Sequence, residues 1–406
     1  MGRPKRGTLR DVRRGNRSVL LWTLYFAKEL SRLELAQVTG LSPATVSNVI
    51  GDLIADGIVV EAGAVDSDGG RPRIMLRVDP SYGNVLGVDV GETRVRVELF
   101  DLAMTRKASK EYALDPGHHE PAVVVRHIVD GLKTVLADAG IDESDVLGMG
   151  IGVPGVVEQG PDLLIHANAF GWDGVPLRAM VRESTSIPVF ADNGAKTMGQ
   201  AELWFGAGQG AKHMVMTLIG SGIGASIITD GVTYRGVASS AGEWGHTTIA
   251  LDGRPCRCGH KGCLEAYVGA EAILAQAGAD LATVEEESAL AALIADPGAR
   301  PVLEEAVRHL GAGLGNLINL FNPERIILGG WAGHLLGREF LPEIREAAER
   351  NSLPRPFAQA SIQVGALGPE AVALGAATLV VEDFLVSGRP DGRAARPAAG
   401  LAHSLT

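Results

Sequence analysis

Cysteine is nearly absent from this 406-residue sequence: it occurs at positions 256, 258 and 263 and nowhere else. Three thiols cannot all pair, so a disulfide framework is excluded. No run of about 18 uncharged apolar residues occurs either, which excludes a transmembrane helix by length. The opening MGRPKRGTLRDVRRGNR is basic but leads into no apolar h-region, so no secretory signal is expected and the chain reads as cytoplasmic. Positive charge is scarce overall, with a formal net charge of −11, but the scarcity is uneven. Residues 1–77 carry 12 Lys/Arg against 8 Asp/Glu and the remainder 25 against 40, so a basic head sits on an acidic body. Such a head points to a polyanionic partner, with a merely solvated arm as the alternative. The length calls for two or three domains.

The head, residues 1–80, reads as three helices followed by a ribbon. Residues 18–28 are apolar enough for a buried first helix. Ser31 and Glu34 have the spacing of a capping box opening a second helix that runs to about Thr39. Gly40 ends that helix, Ser42 caps the next and Pro43 takes its first position. On the third helix Val46, Val49, Ile50, Leu53 and Ile54 share one face, and Ala44, Thr45, Ser47 and Asn48 lie on the other. Two strands around the polar loop DSDGGRPR complete a wing bearing Arg71 and Arg73. The pattern is that of a winged helix-turn-helix with Ser42–Asp56 as the recognition helix, hence a reader of double-stranded DNA. A helical cap or protein-docking domain is the competing reading.

From residue 85 the periodicity changes. VLGVDVGETRVRVELFD reads as strand, glycine turn and strand, and residues 213–231 repeat that plan around GSGIG. Two copies of one hairpin suggest two similar α/β lobes facing across a cleft. Glycine-rich turns can cradle phosphates, although either alone reads better as a plain tight hairpin. The three cysteines follow His246 in the spacing H-x9-C-x-C-x4-C. One imidazole and three thiolates form a tetrahedral zinc set with no open position, so a structural zinc held by His246, Cys256, Cys258 and Cys263 is expected.

These motifs resemble the ROK family (repressors, open reading frames and sugar kinases) over about residues 8–382. The resemblance rests on the turn with Asp89, Gly91 and Thr93, the loop with Gly220, Gly222 and Gly224, GVPGVV (152–157), NAFGW (168–172), GEWGH (242–246), the cysteine spacing and IILGG (326–330). It implies an α/β, actin-like sugar-kinase fold of two lobes over 84–385, preceded by the winged helix-turn-helix. The two glycine turns then correspond to nucleotide loops. It also implies a sugar site formed by Asn168, Asn193, Glu243, His246 and Glu265. The tail, 386–406, is rich in Pro, Gly and Ala and is expected to be disordered.

Two departures bear on activity. The family's kinases carry an aspartate base where this chain has Gly194, within ADNGAKTMGQAE, and an asparagine where it has Lys196. A glycine cannot serve as a general base. Asp192, on a strand, would face away. Glu92 stands where the first phosphate loop usually has glycine, and its charge would repel phosphates. The expectation is a sugar-responsive transcriptional regulator of the repressor branch, with phosphotransfer lost, acting as a homodimer or homotetramer. An active sugar kinase that also binds DNA is the alternative.

Overall fold

The computed structural model describes residues 9–67, 70–115, 118–160, 162–281 and 284–388. The head comprises α1 (Leu9–Ala27), the short strand β1 (Leu30–Ser31), α2 (Arg32–Thr39), α3 (Pro43–Ala55), β2 (Val59–Ser67) and β3 (Gly70–Val78). Local chemistry sets the ends of its two central helices. The Ser31 hydroxyl accepts the Glu34 N–H while the Glu34 carboxylate accepts the Ser31 N–H, and Gly40 closes α2 with a left-handed φ of 69°. Ser42 caps α3 by accepting the Thr45 N–H, with Pro43 at the first position. Val46, Val49, Ile50 and Leu53 are buried against Leu20, Leu21 and Leu24 of α1. β2 and β3 pair antiparallel from Val59↔Val78 to Ser67↔Gly70, forming the wing, and β1 joins its β3 edge.

The first helix starts at Leu9, nine residues earlier than its apolar stretch predicts. The added turns carry no continuous apolar stripe and are held instead by charge. Arg13 pairs with Asp52 at 2.6 Å, and Arg17 pairs with Asp56 at 2.6 Å while donating to the Gly388 carbonyl at 2.6 Å. Part of the basic arm is therefore helix stapled to α3.

The body holds two five-stranded sheets built on one plan. The first lobe contributes β4 (Asn84–Val90), β5 (Arg94–Asp101), β6 (Arg106–Ala113), α4 (Pro121–Ala139), β7 (Val146–Val153), β8 (Val156–Glu158), β9 (Leu164–Ala167), β10 (Trp172–Val175), α5 (Leu177–Arg182) and β11 (Val189–Asn193). Next comes α6 (Gly194–Phe205). The second lobe contributes β12 (Met214–Ile219), β13 (Ile223–Thr229), β14 (Val232–Thr233), α7 (Glu265–Val268), α8 (Ala270–Gln276), α9 (Glu286–Ala295), α10 (Arg300–Phe321), β15 (Arg325–Gly329), α11 (Trp331–Arg350), α12 (Pro354–Gln359) and β16 (Ser361–Val364). The closing helix α13 (Ala371–Ser387) returns to pack on β4, β7 and α6. Of the tail expected to be disordered, 386–406, Val386 and Ser387 instead form the last residues of α13, and residues 389–406 lie outside the described residues.

Sheet orders are β6-β5-β4-β7-β11 and β14-β13-β12-β15-β16, each with two antiparallel pairings followed by two parallel ones. The two glycine turns close the matching hairpins β4–β5 and β12–β13, so the echo in the sequence is a repeat of architecture. A third, small sheet (β8-β9-β10) completes the first lobe and has no counterpart in the second among the described residues. Each lobe has its own apolar core, and a further core runs without a break from the head helices into Val85, Phe100, Trp204 and Phe384 of the body. Among the described residues no helix is long and apolar enough to cross a membrane.

Candidate functional site

After β14 the chain passes through a short helical turn at Trp244–His246 and then the cysteine loop before entering α7. The ligand atoms of His246, Cys256, Cys258 and Cys263 all lie within 4.8 Å of one another. The Cys258 and Cys263 sulfurs are 3.7 Å apart, and Cys256 Sγ is 3.7 Å from His246 Nδ1. A tetrahedral ion bonded to sulfur at about 2.3 Å separates its ligand atoms by about 3.8 Å. The cluster thus has the spacing of a metal site. Burial pushes the Cys256 thiol up to about 12, whereas Cys258, despite its own desolvation, is held down to about 6 by hydrogen bonds from His260 and the neighbouring thiols. A thiolate is the form that binds metal.

The same loop positions carboxylates. Glu265, 6% exposed at the start of α7, accepts the Ile223 N–H at 2.9 Å with one oxygen and Arg257 Nε at 3.0 Å with the other. Glu243 lies within electrostatic reach of His246, Lys196 and Glu265, and burial raises its pKa. Three of the predicted sugar residues, Glu243, His246 and Glu265, therefore meet beside the metal cluster. Asn168 opens a short turn on the first lobe and is exposed.

Asn193 ends β11 and caps α6: its Oδ1 accepts the N–H groups of Ala195 (2.9 Å) and Lys196 (3.3 Å), and its Nδ2 donates to the Gly155 carbonyl at 2.7 Å. Asp192, buried on the strand, pairs with Arg235, and its other oxygen accepts the Asn193 N–H at 2.8 Å. Lys196 is also buried, reaching the Ser239 carbonyl, and desolvation lowers its pKa. At Gly194 a Cβ would meet nothing nearer than 3.7 Å, so the absent side chain does not reflect a lack of room.

Glu92 has a partner that the sequence did not disclose. Arg257 crosses from the cysteine loop and binds its carboxylate through both terminal nitrogens, at 2.5 and 2.8 Å. The guanidinium lies where a side chain on Gly222 would have to go, so this glycine leaves space for an internal cation. Arg94, two residues along the same turn, bridges to Glu287 on α9 at 2.8 Å. Ser221 donates to Glu286 at 2.6 Å. The Glu92 carbonyl is braced by His119 Nε2 at 2.7 Å, and that ring stacks on Phe170 at 4.3 Å. Glu92, expected to repel phosphates, is held in an ion pair between the first glycine turn and the cysteine loop. At the base of the first turn, desolvation raises the Asp89 carboxyl to about 7.

On the head, Ser42, Ala44, Ser47 and Asn48 are exposed and Thr45 is half-exposed, opposite the buried face of α3. Arg73 pairs with Glu34 of α2 at 3.2 Å. Arg71 lies on β3, and its side chain falls outside the described residues.

The model of the ROK family matches residues 85–383. The chain belongs to the ROK family. Its two-lobed body is the family's sugar-kinase-like fold. Within the family it is 32% identical to the xylose repressor of Caldicellulosiruptor bescii over 385 residues, covering 91% of this chain and 96% of that one. It is 32% identical to a glucokinase of Halalkalibacterium halodurans over 314 residues, covering 73% of this chain and 94% of the other. Among solved structures, a ROK transcriptional regulator homologous to the Mlc protein of E. coli superposes with a TM-score of 0.76 at 27% identity, covering 93% of this chain and 97% of that one.

Proposed function

We propose that this ROK protein is a sugar-responsive transcriptional repressor. It binds double-stranded operator DNA through residues 1–80 and senses a sugar at Glu243, His246 and Glu265, with Asn168 and Asn193 on the opposite lobe. The observation that carries this reading is the pairing of a helix-turn-helix head, similar to a named repressor along its length, with a kinase-like body that has Gly194 at the base position. Zinc fits the four-ligand cluster: it would be held by His246, Cys256, Cys258 and Cys263 and would rigidify the loop bearing Glu265. Four protein ligands leave it no open position for chemistry. A homodimer or homotetramer follows from the paired half-sites such heads read.

Similarity to a glucokinase supports the second reading, a kinase that also binds DNA. Arg257 over Gly222 and the glycine at 194 oppose it. The test has two arms. Fluorescence anisotropy would follow the purified chain on a duplex it selects from a random pool, with D-xylose and D-glucose titrated in. A coupled assay with Mg-ATP and the same sugars would monitor phosphorylation. A sugar-dependent change in DNA affinity without turnover is expected, and turnover above background would favour the kinase.

A further inference from the structure

The helix α6 begins at the candidate sugar site and ends at the DNA-reading head. Its first turn is capped by Asn193, and its third residue is Lys196, within electrostatic reach of Glu243. Eleven residues after Asn193, about 17 Å along the axis at helical rise, Trp204 is 7% exposed. Its ring meets Phe26 edge-on at 4.9 Å and 90°, Trp22 at 5.7 Å and 84°, and Tyr25 at 6.4 Å. All three partners belong to α1, whose Leu20, Leu21 and Leu24 share a core with Val46, Val49, Ile50 and Leu53 of α3.

Between its ends α6 is closely packed on several sides. Ala195, Lys196, Thr197, Met198, Gly199, Ala201 and Glu202 are buried. A Cβ on Gly199 would come within 2.6 Å of Ser226 on β13, and one on Gly375 of α13 would run into the Thr197 carbonyl. The helix is wedged between β7 and β11 of the first lobe and β12 and β13 of the second, with α13 behind it. Any rotation of the lobes must therefore shift α6 as a rigid piece. Close-packed interfaces pass such displacements on as discrete repacking rather than absorbing them.

We infer that α6 is the lever coupling the sugar site to the head, and that Trp204 is its contact with α1. This deepens the repressor reading and rests on it. Trp204 touches neither the sugar cluster nor the exposed face of α3, so it acts as a positioning residue. Its removal is predicted to separate two properties: each ligand still binds, but neither affects the other. That differs from a structural defect, which would weaken one or both affinities.

The test compares the full chain with Trp204→Leu and, from the head side, Phe26→Leu. Isothermal calorimetry measures D-xylose and D-glucose affinity, and anisotropy measures affinity for the selected duplex with and without each sugar. Couplings of this kind change affinity about 5–150-fold. In both variants the sugar-dependent change is expected to fall below about twofold, with the sugar Kd and the sugar-free DNA Kd unchanged. If the wild-type chain responds and both variants respond equally, the lever is overturned and the repressor reading stands. If no sugar alters wild-type DNA affinity, the repressor reading falls and the lever with it.

Discussion

The Arg257 guanidinium reaches across the cleft to the Glu92 carboxylate with two N–H···O contacts, at 2.5 and 2.8 Å, passing over the Gly222 turn of its own lobe. Both side chains are less than one-third exposed, at 29% and 21%, so water screens the pair only in part. Arg257 also holds Glu265 at 3.0 Å. One side chain thus joins the first glycine turn, the cysteine loop and a candidate sugar carboxylate.

Breaking this clasp should loosen the cleft and free Glu265. Neighbouring charged pairs of this kind couple by about 0.5–3 kcal/mol. A double-mutant cycle of Glu92→Gln and Arg257→Gln, read by thermal unfolding, should give a positive coupling in that range. Sugar affinity should fall further in Arg257→Gln than in Glu92→Gln, because only the former strips a partner from Glu265. Equal losses would mean that the clasp acts solely by closing the lobes.

The cysteine cluster should carry one zinc per chain by elemental analysis. Cys258→Ser should drive the stoichiometry towards zero and lower the melting temperature, because metal binding contributes directly to folding. Sugar affinity should decline in parallel, since the released loop carries Arg257 and leads into Glu265. Metal loss with unchanged sugar affinity would detach the cluster from the cleft.

Asp89 should make stability depend on pH. Burial raises its carboxyl to about 7, while an unfolded aspartate titrates near 4. Between those values the folded chain retains a proton that the unfolded chain releases, so stability falls as pH rises through the window and the penalty is complete above it. Asp89→Asn removes that charge. The variant should melt close to wild type at pH 5 and above it at pH 8. A difference independent of pH would show that the carboxyl is not desolvated as described.

The exposed face of α3 should separate selectivity from general affinity. Asn48→Ala should change the preference among DNA sequences while leaving the salt dependence intact, because base contacts specify. Deleting residues 1–8, with Arg3, Lys5 and Arg6, should reduce the salt slope and weaken all sequences alike. Ser42→Ala should cost about 1 kcal/mol through the lost cap. Binding-site selection at two salt concentrations would check the first two together.

What was legible in the sequence was what neighbouring residues determine. Ser31–Glu34 and Gly40–Ser42–Pro43 mark helix ends because caps act within three or four residues. The two hairpins show themselves because apolar strands flank each glycine turn. The cysteine set is visible because three of its four ligands fall within eight positions.

What only the tertiary structure decided involves partners far apart in the chain. Glu92 and Arg257 are 165 residues apart, and they meet only because the fold brings the first glycine turn against the cysteine loop of the other lobe. The first turns of α1 have no apolar stripe, and what meets them, Asp52 of α3 against Arg13 and Asp56 just past its end against Arg17, lies 39 residues away in the chain. Nothing in the sequence around Trp204 distinguishes it from the other apolar residues. Its position against Phe26 depends on how the head docks, and that is set by a core shared between two parts of the chain that no local periodicity relates.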